Sequence, residues 1–128
     1  MGRNVNEQEP KPLRYNFSGH PVNLEGFEVS PCVGREFPAD GNELLKDIRN
    51  LLLALPQRDR LLAGEIGEVI LPGLSQAAAI LLAEWHGQFG NFPSIRWTVL
   101  VDGKFSYPTE ATSNLNEVRR SARKARPA

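Results

Sequence analysis

A short apolar run from Glu68 to Leu71 is cut off by Pro72-Gly73, and two residues later an alanine- and leucine-rich stretch begins at Ser75. Proline and glycine can continue neither a strand nor a helix comfortably, so the chain must turn there. The stretch that follows reads as a helix from Ser75, with the serine as its cap, to about Trp85 or His86. Ala77, Ala78, Ala79 and Ala83 let that helix approach a sheet closely. Ile95 to Val101, rich in β-branched and aromatic residues, reads as the next strand. Strand, crossover helix, strand is the unit of a parallel sheet, and it fixes the class as α/β.

The flanking segments extend that unit. Leu13 to Phe17 has strand character and ends in the turn-forming Ser18-Gly19-His20-Pro21. Cys32 to Phe37 is a candidate second strand inside a stretch, Val22 to Pro38, that has no clear period. Leu44, Leu45, Ile48, Leu51, Leu52 and Leu55 recur at helical spacing, with Asp40 or Asn42 as the cap and Pro56 as the stop. Asp102-Gly103 predicts a two-residue hairpin turn joining Ile95–Val101 to Lys104–Tyr107. Asn114 and Glu117 form a capping-box pattern that opens a last helix, with Leu115, Val118 and Ala122 as its inner stripe. The expected architecture is a three-layer α/β domain over residues 13–126, with helices on both faces of a mostly parallel sheet and the hairpin as its antiparallel edge. Residues 1–12 read as a polar, flexible leader.

At 128 residues there is room for one such domain, and 41% hydrophobic content is enough to fill its core. The longest apolar run, Ala77 to Ala83, is far too short to cross a bilayer, and Met1 to Lys11 has no apolar signal core, so a cytoplasmic location and no membrane partner are expected. A single cysteine, Cys32, rules out an internal disulfide, and the absence of CxxC spacing or clustered histidines argues against a metal site or any bound cofactor. Net charge is zero, but residues 1–70 hold eight Lys/Arg against eleven Asp/Glu while residues 71–128 hold seven against four. The excess lies in Arg119, Arg120, Arg123, Lys124 and Arg126, which permits a small phosphate ligand more readily than a long nucleic acid.

In open parallel sheets, ligands bind beyond the carboxyl ends of the strands. Two segments meet that description: Asn16-Phe17-Ser18-Gly19-His20-Pro21, and Leu71-Pro72-Gly73-Leu74-Ser75. Each offers a glycine for close backbone approach and a serine hydroxyl, and the second adds the N–H groups of a helix start. Taken singly, Gly73-Leu74-Ser75 is an ordinary strand-to-helix turn and Ser18-Gly19-His20-Pro21 an ordinary turn. His86 suits a helix end, and Trp85 and Trp97 suit a core or an interface.

Four stretches together carry a resemblance. They are Asn16-Phe17-Ser18-Gly19-His20-Pro21, Pro72-Gly73-Leu74-Ser75, the run from Ala77 through Glu84-Trp85-His86-Gly87-Gln88-Phe89-Gly90 to Pro93, and Asn114-Leu115-Asn116-Glu117-Val118-Arg119. In this order the chain resembles the Csx-fifteen family of CRISPR-associated proteins, small Rossmann-like relatives of the CARF sensor domains. The resemblance implies binding of cyclic oligoadenylates, the ring-shaped messengers of type III CRISPR defence, with cyclic tetra-adenylate as the expected ring. It implies a ligand pocket formed by Asn16, Ser18, Gly19, His20, Gly73 and Ser75. The approximate rotational symmetry of such a ring, and the small concave surface of one domain, make a homodimer or larger self-assembly around it the expected unit.

Three functions follow as expectations: a sponge that sequesters the messenger, a slow metal-independent ring nuclease, or a non-catalytic interaction subunit. Metal-free ring opening would send a ribose 2′-OH onto its own 3′-phosphate, with N–H groups and hydroxyls stabilising the charge. His20 is then the candidate acid or base, worth roughly 10²–10⁴-fold in rate. No second such group accompanies it in either segment.

Overall fold

In the computed structural model, which describes residues 11–27 and 37–127, the first helix is set by local chemistry. The Asp40 carboxylate accepts from Asn42 N at 2.9 Å and Glu43 N at 3.1 Å, and α1 runs Gly41–Leu53. It buries Leu44, Ile48 and Leu52, the expected stripe. A short α2, Arg58–Leu62, follows Pro56 and buries Leu61; the sequence analysis assigned no element there. α3 spans Ser75–Phe89 and turns Ala77, Leu81, Trp85 and Phe89 inward.

Four strands form the main sheet: β1 Arg14–Asn16, β2 Glu68–Ile70, β3 Ser94–Arg96 and β6 Thr112–Asn114. Their spatial order is β1-β2-β3-β6, with β1, β2 and β3 parallel and β6 antiparallel to β3. Register places Tyr15, Val69, Ile95 and Ser113 on one face, and Arg14, Asn16, Glu68, Ile70, Ser94 and Arg96 on the other. Tyr15, Phe17 and Val69 share one buried cluster with residues of α1, α2 and α3. Trp85 is its centre, meeting Tyr15, Phe17 and Phe89 at ring-centroid distances of 5.9, 6.4 and 4.9 Å. Helices α1 to α3 therefore cover one face, where helices on both faces were expected. The other face is covered by Val22, Phe27, Leu24 and Tyr107, which gather around Ile70.

That second face carries charge. Arg14 Nε lies 3.0 Å from Glu68 Oε1, and Arg96 reaches Glu68 Oε2 at 3.5 Å and the Tyr107 carbonyl at 2.6 Å. Gly26 makes room for it: its φ is +89°, and a Cβ there would stand 2.7 Å from Arg14 Cδ.

The hairpin exists, but not where the sequence placed it. Ile95–Val101 is not one strand: β3 ends at Arg96, and β4, Val99–Val101, belongs to a separate two-stranded sheet with β5, Lys104–Ser106. The buried Arg96 is tied to Glu68 and Tyr107, Trp97 N donates to Ala111 O at 3.1 Å, and beyond that link the chain leaves the sheet. β6 takes the antiparallel edge instead. Asp102 and Gly103 both have positive φ, +51° and +75°, as the predicted turn requires.

The last helix, α4 Leu115–Arg123, is capped by Asn114, whose side chain accepts from Asn116 N. Glu117 does not complete a capping box; it pairs with Arg120. The expected inner stripe is not buried either: Val118 is half exposed, and α4 has no buried residue. The candidate strand Cys32–Phe37 lies outside the described residues except for Phe37, which is in no strand. No helix among the described residues is long and apolar enough to cross a membrane.

Candidate functional site

β1 and β2 are neighbours and parallel, so the turns that follow them emerge at the same end of the sheet. Phe17 N donates to Ile70 O at 2.8 Å and carries the pairing to the mouth of both turns. There Phe17, Ser18, Gly19, Phe37, Pro72, Gly73 and Leu74 line a cavity of about 230 Å³. Three of the six expected site residues, Ser18, Gly19 and Gly73, meet in it although they come from turns more than fifty residues apart.

Asn16 does different work. It is fully buried, its Nδ2 donates to the His20 carbonyl at 2.7 Å, and its Oδ1 accepts from Ser18 N at 2.9 Å and from the Ser18 hydroxyl at 2.6 Å. Its amide therefore holds the turn rather than facing a ligand. The Ser18 hydroxyl also accepts from His20 N at 3.1 Å, so its proton and one lone pair are committed inside the turn. Gly19 sits at φ +80°, a conformation that bulkier residues rarely adopt. His20 is exposed and is not among the residues lining the cavity.

The second turn departs from expectation at Ser75. The cap position belongs to Leu74, in extended conformation, and Ser75 is the first helical residue, with its hydroxyl 3.3 Å from Gln76 Oε1. A serine one residue past the cap cannot reach back over the helix end. The N–H groups of the first turn thus have neither an intrahelical acceptor nor a side-chain cap, and the helix follows directly on Gly73 and Leu74. Gly73 needs no special backbone angle, and a Cβ built on it would meet nothing within 4 Å. Its use is space.

No protein-family model, no curated protein and no solved structure matches the chain. The site is therefore read from its own chemistry. Its lining among the described residues is mostly apolar, with Ser18 as the polar side chain. Among the described residues no cluster of His, Cys, Asp or Glu could hold a metal ion. Phe17, Phe37, Pro72 and Leu74 were missed as lining residues; Phe17, Pro72 and Leu74 adjoin predicted site residues within the two turn segments, whereas Phe37 gave no signal of its own.

His86 lies in the last turn of α3 with its ring 4.5 Å from that of Phe92, and its carbonyl accepts from Gly90 N at 2.8 Å. The helix continues past the expected end at Trp85 or His86 because the glycine that closes it, at φ +79°, is Gly90 and not Gly87. Trp85 belongs to the core and Trp97 to the surface.

Proposed function

We propose that the turns after β1 and β2 form a cradle for one phosphate-bearing unit of a cyclic oligoadenylate, and that the protein lowers the free level of this messenger by holding it. The observation that carries the proposal is the α3 start: an uncapped helix N-terminus opening beside a cavity walled by two glycine turns. Helix N–H groups favour phosphate, and the partly buried Phe37, packed against the core, contributes an aromatic side chain to the cavity lining, where an adenine could stack. About 230 Å³ is too small for a whole ring, since complete small-molecule pockets start near roughly 300 Å³. Two or more copies would therefore share one ring.

The proposal includes kinship with Rossmann-like, CARF-type domains, supported by the parallel run β1-β2-β3 with helical crossovers. It includes a cytoplasmic site of action, where a nucleotide messenger would be met. Sequestration is preferred over ring cleavage because, among the described residues, no acid–base side chain lines the cavity and His20 stands outside it.

The test uses cyclic tetra-adenylate with the unmodified protein and with Gly73→Val. A Cβ at position 73 would meet no atom within 4 Å, so melting should be unchanged while binding falls at least about tenfold, near 1.4 kcal/mol. Denaturing the complex should return the intact ring. Absence of association with the unmodified protein rejects the ligand, equal binding by Gly73→Val rejects the cradle, and linear product over many turnovers rejects sequestration.

A further inference from the structure

Helix α4 buries none of its residues, unlike α1, α2 and α3, and it is where the cations gather. Arg119, Arg120, Arg123, Lys124 and Arg126 are all exposed. The acid of the helix, Glu117, holds Arg120. Among the described residues, Arg119, Arg123, Lys124 and Arg126 pair with no carboxylate. Arg119–Arg123 and Arg120–Lys124 are like-charge pairs at i, i+4, an arrangement that destabilises a helix by itself. An anion lying across them reverses that effect.

Helical spacing sets these side chains on one face. At about 100° per residue, Asn116, Arg119, Arg120, Arg123 and Lys124 fall within about 140° of arc, and the i, i+4 cations stand about 6 Å apart along the axis. The foot of that face is tied down. Asn116 Oδ1 accepts from Phe92 N at 2.8 Å, and Asn116 Nδ2 donates to Phe92 O at 2.7 Å. Phe92 therefore borders the basic face one turn below Arg119 and Arg120. Its ring is partly exposed and lies 4.5 Å from the ring of His86.

Unpaired cations beside an aromatic pair suit a nucleic-acid single strand: the cations take phosphates and the rings take a base. We propose that this face of α4, with the Phe92–His86 ring pair at its foot, binds a short stretch of single-stranded nucleic acid through its phosphate backbone, without regard to sequence. This is independent of the ligand proposal. A helix that reads duplex DNA presents its N-terminal residues to the groove. Here the N-terminal turn is occupied by the structural bonds of Asn114 and Asn116, and the charge lies toward the other end. A lipid surface would need a broad apolar face beside the cations, whereas α4 offers Leu115, Val118 and Ala122 alone. Zero net charge weighs against a long track, but this face spans only about four or five phosphates.

Fluorescence anisotropy of a short labelled oligouridylate, titrated with the full chain across a potassium chloride series, tests this. Uridylate keeps adenine recognition at the cradle out of the readout. With the four unpaired cations engaged, the log–log slope of affinity against salt should be about −3. Arg119→Gln/Arg123→Gln, at exposed positions, should melt as the unmodified protein does and flatten the slope to about −1.5. Phe92→Leu keeps the backbone bonds to Asn116, so it should hold the slope and lose about fivefold or more in affinity. No binding at low salt overturns the proposal, as does a slope unchanged by the double substitution or an affinity unchanged in Phe92→Leu. Equal or tighter binding of a duplex of the same length overturns it too, and so does capture by phosphatidylserine vesicles without oligouridylate binding.

Discussion

Asn16→Ala should damage the protein far more than a surface-turn substitution normally does. The side chain is fully buried, and its bonds include short ones to Ser18 N, to the Ser18 hydroxyl and to the His20 carbonyl. A typical hydrogen bond contributes about 1 kcal/mol net, and a buried partner left unpaired costs more. Water can reach the carbonyl of exposed His20 but reaches Ser18 N less easily, so the loss should total about 2–3 kcal/mol. With a urea slope of about 2 kcal/mol/M, the unfolding midpoint should fall by roughly 1–1.5 M at unchanged slope. Ser18→Ala is the internal control. It leaves Ser18 N bonded to Asn16 Oδ1, so it should lose under about 1 kcal/mol. If Asn16→Ala stays within about 0.5 kcal/mol of the unmodified protein, or Ser18→Ala matches it, the amide does not organise the turn.

Two further perturbations have a signed outcome. Burial pushes the Tyr15 phenol above its ordinary pKa, opposed by nearby Arg60 and reinforced by Asp59 and Glu65, while its hydroxyl donates to Pro56 O at 2.7 Å. Above about pH 10 the unfolded chain releases this proton first, so stability should fall as pH rises through that window; denaturant titrations should show that alkaline slope flattened in Tyr15→Phe. Gly26→Ala places a Cβ 2.7 Å from Arg14 Cδ at φ +89° and should cost about 1–3 kcal/mol. Gly41→Ala, with open space around it, should be neutral or stabilising in the same thermal melts.

The parts legible in sequence were those decided locally. Asp40 capped its helix, and Asp102-Gly103 made its turn, because cap and turn geometry need only neighbouring residues. The convergence of Ser18-Gly19 with Gly73 was also legible, since parallel strands send their following turns to one end. What stayed hidden depends on distant partners. Nothing near Arg96 reveals that its guanidinium will be buried against Glu68 and Tyr107 O, and that anchor ends β3 where the β-rich run continues. Leu115, Val118 and Ala122 have inward spacing, yet periodicity states only that a stripe exists, not that a surface meets it. Ser75 failed as a cap by one residue, which is the ordinary uncertainty of a helix boundary.

The strand order bears most directly on where a ligand can sit. β1, β2 and β3 lie side by side in chain order, so both crossovers step the same way across the sheet. Two crossovers of one hand that step in one direction must lay their helices on the same face, as α1 to α3 are laid. A doubly wound sheet reverses direction once, and the crevice at that reversal is its usual ligand site. Among the described strands the parallel run has no reversal. A ligand at the carboxyl end must then sit between turns of adjacent strands, where Asn16 stiffens one wall and the turn leading into α3, Pro72–Leu74, forms the other. Such a shallow site holds part of a ligand, so full enclosure of a large one requires a second copy, whereas a ligand the size of a single phosphate would not.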